Sequence, residues 1–496
     1  MRVSSLSVAL LLVVSAPNSR ADTNPRYRPG DWRAFTSVRY VTSAAFTPEF
    51  LYFGTRGGVA RYDRNRERWL PALTTAEGLP SNAIRRLAYN PATDELYAET
   101  LLGASIYRRA WDEWHSVPDF PESLATGWQP VDLSQYQLPF GFDALDPGFL
   151  TDSYLRSYKV TGGLEDSWGN VWLGTWGEFV WKHGFAAFDL VPQRWGLFHD
   201  NVEAIWLDST SVFFGGTNYY SNDGAVTIYD TAAADWHYLE ARYTSGFASD
   251  HVHAFVGDAE RHYLWMATDL GLVRYDRQKE QFRTYGRREG LTDDRVWSLC
   301  LDGEILWVGT ESGIDGIYLP RDSIFSASTA AVRNARVPTI DVTGQIVWLG
   351  TDRGLFRLVK PVAEWQRFAP QDGLSPLGGH IRVIRHDATR VYVGTDHGIA
   401  VVDPRGVHHV ETYDRSHGLP DDNVFDLAVT DTILWAATRI GLVRFVPSTR
   451  ERRVFTSDDG LVDPLIQTIV VDGDYLWLGT EHGANRFRWN NPQRID

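Results

Sequence analysis

Carboxylates, imidazoles and indoles recur in this chain at spacings that could bind or react. An acid follows a Thr at Asp269, Glu311, Asp352, Asp396 and Glu481, and each acid is followed by one residue and a Gly. Such acids could hold a cation or a sugar hydroxyl. They could equally serve a turn, since Asp before x-Gly accepts hydrogen bonds from its own backbone, and their regular recurrence favours the turn. His251-x-His253 would put two rings on one face of a strand, while His397 and His482 each follow an acid in equivalent turns. The sequence contains no His-Glu-x-x-His spacing, nucleophile elbow, phosphate loop or dinucleotide fingerprint. The paired acids Asp421-Asp422 and Asp458-Asp459 sit in turns, too ordinary a place to assign glycoside hydrolysis to them. The expectation is therefore no catalytic residue, no metal and no cofactor, and the reading leans away from an enzyme.

A second group is aromatic. Trp128, Tyr136, Phe140 and Phe142 lie in the stretch 118–158, and Trp176, Glu178, Trp181, Tyr219 and Tyr220 follow within two short segments. Aromatic faces accept the C–H surfaces of sugars while polar groups fix their orientation, and such sites are concave and few. These nine residues are the candidate ligand-binding set, with a plain plug as the alternative role for the stretch.

The elements that must position them repeat. Leu476-Trp-Leu-Gly-Thr480 has counterparts starting at residues 51, 96, 171, 212, 264, 306, 347, 391 and 434, spaced 41–52 apart except for one interval of 75. A period near 42 residues marks the blade of a β-propeller. Apolar residues on both faces suit a strand buried between stacked sheets, and the Gly marks a place where a side chain would strike a neighbour. The interval of 75 contains the 118–158 stretch as a between-blade insertion. The predicted fold is all-β, a propeller of about ten four-stranded blades over residues 31–489, with a tail at 490–496. Asp31-Trp32-Arg-Ala-Phe35 resembles fourth strands such as Glu364-Trp-Gln-Arg-Phe368, whereas the C-terminal Arg486-Phe487-Arg488-Trp489 reads as a third strand lacking a fourth. The N-terminal strand is therefore expected to complete the last blade and hide its edge. With no other orphan strand in mid-chain, a single ring is expected.

Arg2, the apolar run Leu6 to Val14, and Ser19-Arg20-Ala21 read as a cleaved export signal over 1–21, followed by a leader at 22–30. The run is too short to span a bilayer. Its removal takes the net charge from −15 to −17, which argues against nucleic acid and anionic lipid as partners. The one cysteine, Cys300, lies in an apolar strand and reads as a buried free thiol.

Gly-Leu-Pro turns such as Glu77-Gly-Leu-Pro80 and His417-Gly-Leu-Pro420 precede inner strands, and Trp-x-Gly-Thr-x-x-Gly-Leu follows. This order resembles the two-component regulator propeller repeat. The resemblance implies a periplasmic sensor propeller that recognises a ligand, often a carbohydrate, here without the kinase or DNA-binding parts of such systems. The expected function is a secreted or periplasmic, non-catalytic propeller that binds a carbohydrate or protein ligand on the face carrying the between-blade loops. A carbohydrate-active lyase or hydrolase and an envelope assembly scaffold remain as alternatives. The oligomeric state is left open.

Overall fold

The computed structural model describes residues 31–491, apart from 110–111, 125–126, 186–188, 219–220, 222, 361–363, 368–376, 378–379 and 405–407. The expected signal and leader, the end of the tail, Tyr219, Tyr220, Phe368 and the Asp372-Gly373-Leu374 turn lie outside the described residues. No described helix is long and apolar enough to cross a membrane.

Among the described residues the chain forms ten antiparallel sheets, nine of four strands and one of six. Each Trp phrase is the second strand of its blade, and Trp172, Trp265, Trp348, Trp435 and Trp477 are at most 1% exposed. Burial of a large apolar side chain contributes about 1.5–3 kcal/mol, so the indole anchors the blades that carry it, and Tyr52, Phe213 and Tyr392 are buried at the same position of three other blades. The turn after it is held by the Thr rather than by the acid. Thr310 Oγ1 donates to the Gly313 carbonyl and accepts from Ser312 N–H, Thr351 and Thr395 repeat both bonds, and Thr480 Oγ1 donates to the Gly483 carbonyl. The acids are thereby free to reach elsewhere.

Packing between inner strands sets the blade order in space. Blade 4 (Asn201–Leu207 to Asp235–Leu239), blade 5 (from Val252–Asp258), blade 6 (from Val296–Asp302), blade 7 (from Thr339–Thr343), blade 8 (from Ile381–His386), blade 9 (from Val424–Thr430) and blade 10 (from Ile466–Asp472) follow one another as neighbours. Blade 10 then packs directly against the inner strand of blade 4. A Cβ on Gly479 of blade 10 would stand 2.5 Å from the Val202 carbonyl oxygen of blade 4, so only Gly allows this closure. The ring thus has seven blades. The expectation of one ring of ten is corrected: blades 1–3 lie outside it.

The N-terminal strand behaves as predicted. Trp32–Phe35 pairs antiparallel with Gly483–Arg488 as the outer strand of blade 10, Trp32 opposite Phe487. After Phe35 the chain leaves the ring and builds blade 1 (from Val41–Phe46), blade 2 (from Ile84–Asn90) and blade 3 (from Ser157–Glu165) before returning at Asn201. These three form an arc in the spatial order 3–1–2. A Cβ on Gly174 would meet Val41 Cγ1 at 2.5 Å, and one on Gly54 would meet Ile84 Cγ2 at 2.7 Å. Blade 2 carries Glu99 where the repeat has Gly, paired with Arg86 at 2.6 Å. No further inner strand packs on that side among the described residues, so the position tolerates a charge.

The insertion takes a regular form. Its hairpin, Phe142–Asp146 and Phe149–Asp152, adds two strands to the inner edge of blade 3, which is why that sheet has six. The stems of the excursion run together where arc meets ring: Leu197 N–H donates to the Thr36 carbonyl at 3.1 Å. There Arg39, fully buried, pairs with Asp223, lies 3.7 Å over the Phe198 ring and donates to the Phe198 carbonyl at 3.2 Å.

Candidate functional site

The aromatic sector is largely packed inward. Trp181 is 0% exposed and donates from Nε1 to the Glu178 carbonyl at 3.0 Å. Glu178 is equally buried and pairs with Arg194. Neither side chain reaches the surface, which corrects the expectation that both meet a ligand: each completes the core of blade 3. Phe142 sits edge-on to Trp181 at 4.9 Å and Tyr136 edge-on to His183 at 5.3 Å, two separate aromatic pairs. Trp128 covers the glycines of blade 3, its Nε1 standing 2.4 Å from where a Gly162 Cβ would be. Phe140 is fully exposed, and Trp176, partly exposed, faces Tyr40 at 5.3 Å on the other side of the blade 3 turn.

A different constellation lines the channel of the seven-blade ring. In six of its seven inner strands the ladder slips by one residue near the start: Val202/Ala204, Val252/Ala254, Val296/Ser298, Ile381/Val383, Val424/Asp426 and Ile466/Thr468. A bulge frees the skipped residue from pairing and re-aims its side chain. The skipped residues are Glu203, His253, Trp297, Arg382, Phe425 and Gln467, and all six line one cavity of about 300 Å³ at the channel mouth. Sequence reasoning passed over five of them and noted His253 only for sharing a strand face with His251. The available signal was a position, directly after an aliphatic residue, whose type changes in every blade while its neighbours repeat.

The electrostatics of the mouth are specific. His253 Nδ1 lies 3.1 Å from Glu203 and Nε2 lies 3.0 Å from Asp269, while its ring lies 4.3 Å from Trp297, tilted by 35°. Trp297 Nε1 donates to Glu311 at 2.7 Å, and Arg336 covers the indole at 3.7 Å. Two acids of the Thr-acid turns, Asp269 and Glu311, therefore tie the mouth together, whereas Asp396 bonds His397 of its own turn and Asp352 accepts from the Arg336 N–H. Burial opposes charging His253, but the hydrogen bonds to Asp269 and Glu203 outweigh it and raise the imidazole to about 9. Arg382 lies over Phe425 at 4.6 Å, and its Nε is buried with no hydrogen-bond partner. Burial, with Arg439 and Arg336 nearby, lowers its guanidinium below the ordinary value.

The raised His253 makes a pH prediction. A group charged more readily in the folded state stabilises below its unfolded value near 6.5, and that stability is lost as pH rises through about 9. The wild-type chain should lose about 3 kcal/mol between pH 6.5 and 10 relative to His253→Gln. Chemical denaturation across that range, with the imidazole titrated by NMR, measures both; a His253 titrating near 6.5 would contradict the arrangement.

No family model matches the chain, and no curated protein matches it. Solved structures match its fold. PorZ, an essential bacterial surface component of the type-IX secretion system of Porphyromonas gingivalis, superposes with a TM-score of 0.68 at 14% identity, covering 92% of this chain and 87% of that one. The extracellular domain of a putative hybrid two-component system from B. thetaiotaomicron gives 0.51 at 16% identity, covering 91% of this chain and 62% of that one. A second B. thetaiotaomicron extracellular domain, of another putative hybrid two-component system, gives 0.51 at 14% identity, covering 91% and 70%. The fold is that of a multi-blade β-propeller, and the resemblance read from the repeats has its counterpart in these extracellular domains of putative hybrid two-component systems.

Proposed function

We propose that the protein works outside the cytoplasm, as a periplasmic or secreted non-catalytic propeller that binds a carbohydrate at the mouth of its seven-blade ring. The mouth opens on the face carrying the between-blade loops. The observation that carries this reading is the set of six bulge residues around one cavity, offering a carboxylate, a guanidinium, an amide and two aromatic rings. Hydroxyl-rich ligands need such convergent donors and acceptors, and the Arg382 Nε is left without a partner. The export signal read at 1–21 and the extracellular neighbours support the location. Binding is favoured over lyase or hydrolase chemistry because His253, clamped by two carboxylates, stays an imidazolium at neutral pH and offers no free base. The exposed Phe140 and Trp176 of the aromatic sector are kept as a secondary contact surface.

A glycan array with product detection tests the reading. Arg382→Ala and Gln467→Ala should each weaken capture of a bound glycan by about tenfold or more, the scale of losing a charge-assisted hydrogen bond. Turnover of the glycan would favour the enzyme. Absence of any glycan, with capture of an envelope protein instead, would favour the scaffold reading, which rests on the likeness to PorZ.

A further inference from the structure

We propose that the sugar held at the channel mouth is acidic, a uronate whose carboxylate pairs with Arg382. The inference rests on the carbohydrate reading of the mouth and names the class of sugar. It follows from the charges of the lining. Five ionisable side chains line the cavity: Glu203, His253, Arg382, Arg385 and Asp426. Four of them pair with one another, His253 with Glu203 at 3.1 Å and Arg385 with Asp426 at 2.9 Å. Asp269, the second acid on His253, is shared with Arg295 at 3.4 Å. Arg382 is left over.

Among the described residues no carboxylate forms an ion pair with Arg382, and its Nε is buried without a hydrogen bond. Asp396 attracts it, but that acid is bonded to the His397 ring at 2.7 Å. Burial and the guanidiniums of Arg439 and Arg336 outweigh the attraction and lower Arg382 below its ordinary value. A cation in surroundings that disfavour its charge gains from an anion brought beside it. On a chain of net charge −15 the mouth is thus a local positive point that draws an acidic sugar to it.

Geometry selects a carboxylate among the anions. The guanidinium lies over the Phe425 ring at 4.6 Å, which fixes its plane. Its N–H groups lie in that plane and best meet a planar acceptor of two oxygens. A sulfate or phosphate ester would bring a third oxygen that needs a donor of its own. Of the three hydroxyls in the lining, Ser298 already donates to the Val337 carbonyl and Thr468 to Asp426. An oxygen desolvated there without a donor would oppose binding.

The test titrates the whole chain calorimetrically with oligogalacturonate and oligoglucuronate. Each is compared with its carboxyl-reduced, neutral form and with a sulfate ester of that form. A uronate should bind at least about tenfold tighter than either counterpart, and Arg382→Gln should bring uronate and reduced form to equal affinity. Should that variant fold poorly, salt decides on the wild-type chain. Raising NaCl from about 50 to about 500 mM should narrow the preference for the uronate, and a preference that salt leaves unchanged overturns the ion pair. Equal or tighter binding of the reduced or sulfated form overturns the uronate while the carbohydrate reading of the mouth stands. If none of these sugars binds, the uronate falls, and the glycan array shows whether the carbohydrate reading falls with it.

Discussion

A chain shortened to begin at Ser37 should lose its closed ring. The missing strand, Trp32–Phe35, is the outer strand of blade 10, and its loss exposes the backbone edge of Gly483–Arg488. It also removes Trp32, stacked on Phe487 at 3.9 Å, and Phe35, which packs on Trp477 of blade 10 and on Phe214 and Trp236 of blade 4. Each is at most 5% exposed. Truncating one buried aromatic to Ala costs about 3–5 kcal/mol, and deletion removes two of them together with the strand pairing. Because Phe35 touches both sides of the closing seam, the damage should spread to the blade 10–blade 4 contact. We expect aggregation on expression, or a melting temperature lowered far below that of the untruncated chain. Trp32→Ala is the milder test, with a shift in denaturation midpoint worth about 3–5 kcal/mol. A truncated chain that melts with the full one would refute closure by this strand.

That closure was legible because its evidence is local: Trp32 and Phe35 match fourth strands elsewhere, and Arg486–Arg488 lacks one. The split into seven and three was not. A repeated Gly such as Gly174 or Gly479 records that some blade packs against it, not which one, and blade 3 packs on blade 1 although blade 2 intervenes in the chain. The one departure that reported an open end was Glu99. Asp269 and Glu311, two of the five acids after Thr, were misread for a similar reason. Hydrogen bonding within the turn is a short-range property, and Thr satisfies it, so what Asp269 and Glu311 reach depends on the bulge residues of other strands. Trp181 and Glu178 were taken for surface residues because an aromatic, acidic turn looks the same in sequence whether an inserted hairpin covers it or not. Phe142, on that hairpin, is what covers Trp181.

The excursion of three blades is held to the ring at Arg39, and substituting that residue should cost nearly as much as opening the ring. Its side chain is 0% exposed and the paired Asp223 carboxylate is 3% exposed. Around them lie Phe198, Phe179 and Tyr40, with Ser221 also bonded to Asp223. Burial opposes ionising Asp223, yet Arg39 more than compensates and keeps the carboxyl below its ordinary range. Arg39→Met fills much of the volume but strands the acid without its cation. Breaking one side of a buried pair costs about 3–5 kcal/mol, whereas replacing both partners by apolar groups is often close to neutral. The single Arg39→Met and Asp223→Leu variants should therefore each lose about 3–5 kcal/mol, and the double variant should recover most of it. Limited proteolysis adds the structural readout: in the single variants, cleavage should appear first in the stems at 36–40 and 195–200, releasing the arc while the ring stays folded. Additive losses in the double variant, or cleavage elsewhere first, would mean that the pair is not what fastens the arc.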